Sequence, residues 1–355
     1  MFPIGRLVKM LLAAGLAAAA FAAAVWMWTS SQPKEKTDFL SLKVKSANLS
    51  VDYDPEQVLE DAGRLGLNTV NVPVVVEVSD VRSSDMTLDE ASLNKAIELI
   101  PRLQSRGMRI IVEPYPWINR GREVETDWNP DHLDAFFEQW RSRVLVPLAR
   151  RVAEPYHADA MIAGSNLVHL ERFGGEWSSM LQQLRGEYSG LLTYKTNWWY
   201  TAAWDKASTA AYEAKRDNPL WADTDFITVA AYFELSERPV NTAGQLLSAL
   251  SSTEVNGRGQ DVVSEVMALS GKWGKPVYFG ELGFPAREYA AKEPWNPSPS
   301  DVEDGGEQAR LFQAYREAFS GKPGFMGFSV FAIGEKSKDK HYYPSDDSAK
   351  VIRAW

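Results

Sequence analysis

Residues 275–285 read KPVYFGELGFP. A proline-led apolar run, Val277-Tyr278-Phe279-Gly280, ends on the carboxylate Glu281, and Gly283 then permits a tight turn. A short run this apolar reads as a strand buried on both faces, as in a parallel sheet. If the sheet closes, a carboxylate directly after the strand faces the mouth of a barrel, where such folds build their sites. An alternative for Glu281 is a salt bridge to a loop.

Working outward, the same pattern of strand followed by amphipathic helix recurs eight times. Strands are expected near Leu40–Ala47, Thr69–Val75, Arg109–Glu113, Ala158–Gly164, Leu191–Thr196, Phe226–Ala231, Pro276–Gly280 and Phe325–Phe331. Asp54-Pro55-Glu56-Gln57 opens the first helix with a cap, a proline in the first turn and Gln57 reaching back, and Gly66 ends it. Further helices are expected over Ser92–Arg106, from Asn129-Pro130 to Glu154, over Glu176–Tyr188 and after Trp204. The rest are a broken stretch from Ala243 to Leu269, Gly306–Phe319 and a closing Ser348–Trp355. Eight such units fit one α/β domain, a (β/α)8 TIM barrel. The competing open doubly wound sheet usually carries a glycine-rich turn after its first strand. Residues 46–57, SANLSVDYDPEQ, hold no glycine.

The N-terminus has a different character. Arg6 and Lys9 precede an uncharged run from Met10 to Trp28, close to the ~20 residues that cross a bilayer. Trp26 and Trp28 sit where an interfacial aromatic belt lies, and Lys34-Glu35-Lys36 follows. We expect a transmembrane signal anchor over residues 1–29, a linker over 30–38 and the barrel over 39–355, outside the cytoplasm. A cleaved signal peptide, using the small residues Ala17–Ala24, would leave the barrel secreted.

Composition narrows the chemistry. The net charge is −9, and Arg6 and Lys9 are the only charges before the linker, so the barrel is more acidic still. Phosphate binding needs a basic surface, so nucleic acid is not expected as partner. The absence of cysteine excludes disulfides and thiol catalysis. His132, His157, His169 and His341 are scattered without paired-histidine spacing, so neither a metal nor another cofactor is expected. The lysine-rich run Lys336–Lys340 reads as a solvated loop.

The expected strand ends hold Asn48, Glu77, Glu113-Pro114-Tyr115, Asn166, Asn197-Trp198-Trp199, Tyr232-Phe233-Glu234, Glu281 and Phe331. Sugars need this mixture, since aromatic faces stack on a pyranose while carboxylates and amides bind its hydroxyls. Trp198, Trp199 and Trp117 are the candidate stacking residues, although about half the tryptophan and tyrosine residues in NWWYTAAW should pack inward. Glu113 and Glu234 are weaker candidates; Glu113 would bind a hydroxyl or pair with a nearby arginine such as Arg120.

Four segments, GEYSGLLTYKTNWW, DFITVAAYFEL, KPVYFGELGFPA and EQARLFQAYREAF, with the ending YYPSDDSAKVIRAW, together resemble clan A glycoside hydrolases. They are most similar to family 113, whose known members act on β-mannan. The resemblance implies a retaining mechanism with two glutamates, an acid/base ending the fourth strand and a nucleophile ending the seventh. Glu281 matches the nucleophile and Tyr232 a tyrosine beside it, while Asn197 and Trp198 match substrate-side positions. The fourth strand departs from the pattern. Gly164-Ser165-Asn166-Leu167 stands where the family carries Gly-Thr-Glu-Leu, and Phe331 stands where a tryptophan is expected. An amide cannot donate the proton that a leaving alkoxide needs.

Three readings follow. Glu171 swings in as acid/base, or Glu113 or Glu234 does so from a neighbouring strand, or hydrolysis is lost and the cleft binds a polysaccharide or oligosaccharide. In all three Asn166 holds a sugar hydroxyl. A further possibility is a scaffold subunit docked beside membrane polysaccharide machinery.

Overall fold

The computed structural model describes residues 36–335 and 341–355. Its strands are β1 Val44–Leu49, β2 Thr69–Val78, β3 Met86–Leu88, β4 Arg109–Ile118, β5 Ala160–Ser165, β6 Leu191–Thr196, β7 Ile227–Ala230, β8 Val277–Leu282 and β9 Phe325–Ile333. Eight of them pair in parallel. Because β1 bonds to both β2 and β9, the sheet closes on itself, which gives the expected barrel. The ninth, β3, folds back antiparallel on the far end of β2. The compact unit runs from Phe39 to Trp355. The anchor expected over 1–29, linker residues 30–35 and the Lys336–Lys340 loop lie outside the described residues. Among the described residues no helix is long and apolar enough to cross a membrane.

The barrel is apolar below and polar above. Val44, Ile111, Ile162, Leu191, Phe226, Tyr278 and Met326 form a buried inner cluster, and Phe39 seals it against Phe226. Outward-facing strand residues pack on the helices in a second, larger cluster. Trp128, Trp140, Trp177 and Trp221 are fully buried there. Each indole N–H meets a carbonyl, as Trp140 does with Ala163 at 2.8 Å, so these rings bury area without stranding a donor. Along β6 the inward positions change from Leu191 through Thr193 to Lys195, from apolar floor to charged mouth.

Several elements depart from expectation. The first strand starts later, at Val44, after a short helix over Lys36–Ser41. Gln57 bonds forward to Asp61 rather than back to the cap, while Asp54 accepts from the Glu56 and Gln57 N–H groups. The third helix begins at Leu133 rather than at Asn129. The Asn129 and Asp131 N–H groups instead bond Val81 and Arg82 carbonyls.

The third barrel strand, β4, runs on to Ile118 in register with β2 as far as Val78. Its pairing with β5 stops at Val112, so Pro114 and Pro116 lie beyond the two-sided part of the ladder. A proline, lacking an N–H, is tolerated there.

Candidate active site

Two irregularities aim the upper rim. On β8, Tyr278 and Gly280 point inward, so strict alternation would turn Glu281 outward. The pairing with β7 slips between Val229 and Ala230, which skips from Phe279 to Glu281. This bulge swings the Glu281 carboxylate into the mouth. On β5 the register shifts between Ile162 and Ser165. Gly164 faces outward, where a Cβ would come within 2.9 Å of both the Trp177 and Tyr194 rings, and Ser165 lines the cavity.

At the centre stands Lys195, 2% exposed. Its ammonium contacts Glu113 at 2.7 Å and Glu281 at 2.5 Å. Burial alone would pull this ammonium down, but the two carboxylates outweigh it and hold Lys195 above its ordinary value. Asn71 donates to the other Glu113 oxygen at 2.5 Å and to Asn48, which donates in turn to the Gly280 carbonyl at 2.8 Å. Gly280 is required for the stem of Lys195, since a Cβ there would lie 2.8 Å from Lys195 Cδ and collide with Thr228. Lysine 195 and Asn71 escaped the sequence reading because each sits inside a strand, and its partners come from other strands.

Glu281 has further neighbours. The Tyr232 hydroxyl hydrogen-bonds to it, and burial followed by the Glu281 charge holds that phenol well above its ordinary value. Asn166 donates from Nδ2 to Glu281 Oε1 at 3.2 Å and to Glu125 Oε1 at 3.3 Å. Asn166 has φ +55°, a conformation asparagine tolerates. Its buried Oδ1 has no partner among the described residues, which leaves an acceptor for a ligand hydroxyl.

Glu125 was not anticipated. It lies on a loop after β4, not at a strand end, yet it lines the same cavity as Glu113, Glu281, Tyr115 and Phe331. Asn119, Arg120 and Gly121, all with positive φ, reverse the chain so that Glu123 bridges back to Ile118. Trp128, buried and bonded to the Ser83 carbonyl, pins the other end. Glu125 as a whole is half-buried and lines the cavity. Burial, then the charge of Glu281, push its carboxyl above the ordinary range, against the Asn166 bond, which acts the other way.

The remaining candidates divide. Phe331 packs edge-on against Tyr232 and Tyr342, and its peptide bond to Ala332 is cis. Trp117 lines an adjoining cleft of about 550 Å³ with Tyr115, Phe331, Tyr342 and Tyr343, within the ~300–1,000 Å³ usual for ligand sites. Trp199 is core, with its ring stacked on Tyr212, edge-on to Phe233, and its N–H on Glu265. Trp198 is half-buried against the outer cluster, and Asn197 accepts from the Trp198 N–H. Neither lines the Glu281 cavity.

Glu171 faces away, held by Lys215 at 2.8 Å and Thr196 at 2.7 Å. Glu234 pairs with Arg258 at 2.5 Å. Glu113 pairs with Lys195 rather than Arg120.

A closed parallel barrel with carboxylates gathered at its mouth and aromatic walls beside them defines a clan A glycoside hydrolase scaffold. Residues 54–351 match the profile of Glycoside Hydrolase Family 113, and the chain belongs to that family. A search of curated protein sequences finds no match. Among solved structures, a GH113 β-1,4-mannanase superposes with TM-score 0.67 at 20% identity, covering 88% of this chain and 98% of its own. The GH113 β-mannanase AaManA from Alicyclobacillus acidocaldarius, in complex with ManMIm, gives TM-score 0.69 at 15% identity, with 89% and 97% covered. A Glycoside Hydrolase Family 5 mannosidase from Rhizomucor miehei gives 0.55 at 10%, covering 88% and 92%. At these identities the likeness speaks for the fold.

Proposed function

We propose that this chain is a retaining glycosidase acting on a neutral β-linked polysaccharide of the mannan type, with Glu281 as nucleophile. The observation that carries the reading is the bulge that turns Glu281 into the mouth, against Lys195, Tyr232 and Asn166. Lys195 balances charge through both halves of such a reaction. Before attack it lies between two carboxylates, and once Glu281 is esterified it still pairs with Glu113. The cavity lining includes Glu113, Glu125 and Glu281 with a single lysine, so uronate polymers are repelled and neutral ones admitted. Trp117 and Tyr115 form a stacking wall, and Asn166 Oδ1 accepts a sugar hydroxyl.

The test is release of reducing ends from β-mannan and mannooligosaccharides by the full chain. Activity that disappears in Glu281→Gln supports the reading. Tight binding of the same oligosaccharides by a chain that never cleaves them would replace it with a glycan-binding barrel. We further propose that Met10–Trp28 anchors the barrel at the outer face of a membrane, in reach of polysaccharide machinery. Release of the chain from membranes by carbonate or high salt would contradict the anchor.

A further inference from the structure

We propose that Glu125, carried on the loop after β4, is the proton donor and acceptor of this site in place of the carboxylate that the end of β5 lacks. The inference rests on the glycosidase reading with Glu281 as nucleophile, and geometry carries it. Glu125 and Glu281 bond through Oε1 to the same nitrogen, Asn166 Nδ2, at 3.3 and 3.2 Å. Their oxygens are therefore no further apart than the sum of those distances. That bound accommodates the ~5–5.5 Å of a retaining pair and lies at the lower edge of the ~6.5–9.5 Å that inverting enzymes use. Asn166 thus serves as the spacer between two carboxyl groups that line one cavity.

The other carboxylates are engaged. Glu113 lies on Lys195 and Asn71, Glu171 on Lys215 and Thr196, and Glu234 on Arg258. Each would have to leave its cation before it could reach a leaving oxygen at this cavity. Glu125 makes no salt bridge among the described residues. Its enclosure beside the Glu281 charge favours the protonated form, the form a general acid must have before reaction. The loop is fixed at both ends, by the Ile118–Glu123 bridge and by buried Trp128, so Glu125 is placed without a swing.

The steps balance. A Glu281 oxygen bonds to the anomeric carbon as the glycosidic C–O bond breaks. That bond's electron pair stays on the leaving oxygen, which takes the Glu125 proton and departs as an alcohol. In the second step Glu125, now a carboxylate, takes a proton from water as the water oxygen attacks the anomeric carbon. The ester bond breaks and its pair returns to Glu281.

The experiment compares the full wild-type chain with Glu125→Gln on two substrates, dinitrophenyl β-mannoside, whose leaving group needs no acid, and a mannooligosaccharide, which needs one. Thermal denaturation confirms that the variant is folded. We expect Glu125→Gln to lose ~10²–10⁴-fold on the oligosaccharide. On the dinitrophenyl substrate it should still form the glycosyl-enzyme but release it slowly, with azide restoring turnover and giving the β-mannosyl azide. Its pH profile should lose the limb that falls toward high pH.

Equal losses on both substrates, no azide rescue, or an unchanged pH profile would overturn the assignment. The azide signature in Glu171→Gln instead would also overturn it. A wild-type chain inert to both substrates would remove the Glu281 reading and this assignment together. An active wild type with an indifferent Glu125→Gln removes this assignment alone.

Discussion

At the scale of single residues, Lys195 organises the site and is its most exposed dependency. A buried ammonium shared by two carboxylates is tolerated because both contacts are short and Asn71 satisfies the far Glu113 oxygen. Replacing it with methionine keeps the volume but leaves two buried carboxylates facing each other. Removing one partner of such a group costs ~3–5 kcal/mol, and we expect Lys195→Met to lower unfolding stability by that order in urea melts. Adding Glu113→Gln should recover part of it, because one of the two repelling charges is then gone. Gly280→Ala tests the same contact from the backbone side. Its methyl would displace Thr228 or the Lys195 stem, at ~1–3 kcal/mol, and should lower turnover without changing the fold by circular dichroism.

At the scale of elements, the β4 loop decides where Glu125 points. Gly121 has φ +76°, and a Cβ there would come within 2.5 Å of the Trp117 ring. Gly121→Ala therefore forces the loop or the ring to move, at ~1–2 kcal/mol for the left-handed backbone alone. We expect it to reduce activity on oligosaccharide more than on dinitrophenyl β-mannoside, since the step it disturbs is proton transfer. An equal reduction on both substrates would point to loss of binding through Trp117 instead. The element scale also explains what a reading of the chain finds and misses. The β/α units are legible because each repeats local signals, such as Asp54 before Pro55 and Gly66 after Leu65. The extension of β4 through Pro114 and Pro116 is not legible, because only the three-dimensional edge makes prolines acceptable. Glu125 falls in a loop whose path is set by three positive-φ residues and a distant tryptophan pocket. Strand-end logic therefore has no access to it. Trp199 shows the converse: it occupies a site-like position in the chain, yet Tyr212 and Phe233 enclose it in the core.

At the scale of the whole molecule, pH links the site to folding. The folded chain holds the Glu125 carboxyl above its ordinary value, so the native state binds this proton more tightly than the unfolded chain does. Its contribution to stability is then complete below the unfolded value and is lost as pH rises through the folded one. Stability should fall with rising pH across the window just above the ordinary carboxylate range. Glu125→Gln should remove that part of the slope, which denaturant melts at several pH values will read. A slope that is identical in the variant would mean that the Glu125 carboxyl titrates normally.

The most direct measurement of the central claim is the intact mass of the full chain after exposure to an activated fluoromannoside. This is a dinitrophenyl β-mannoside with fluorine beside the anomeric carbon, which slows release of the covalent intermediate. We expect a gain of one fluorosugar, mapped by peptide analysis to Glu281 and absent from Glu281→Gln. No adduct, or an adduct on another carboxylate, would contradict the claim.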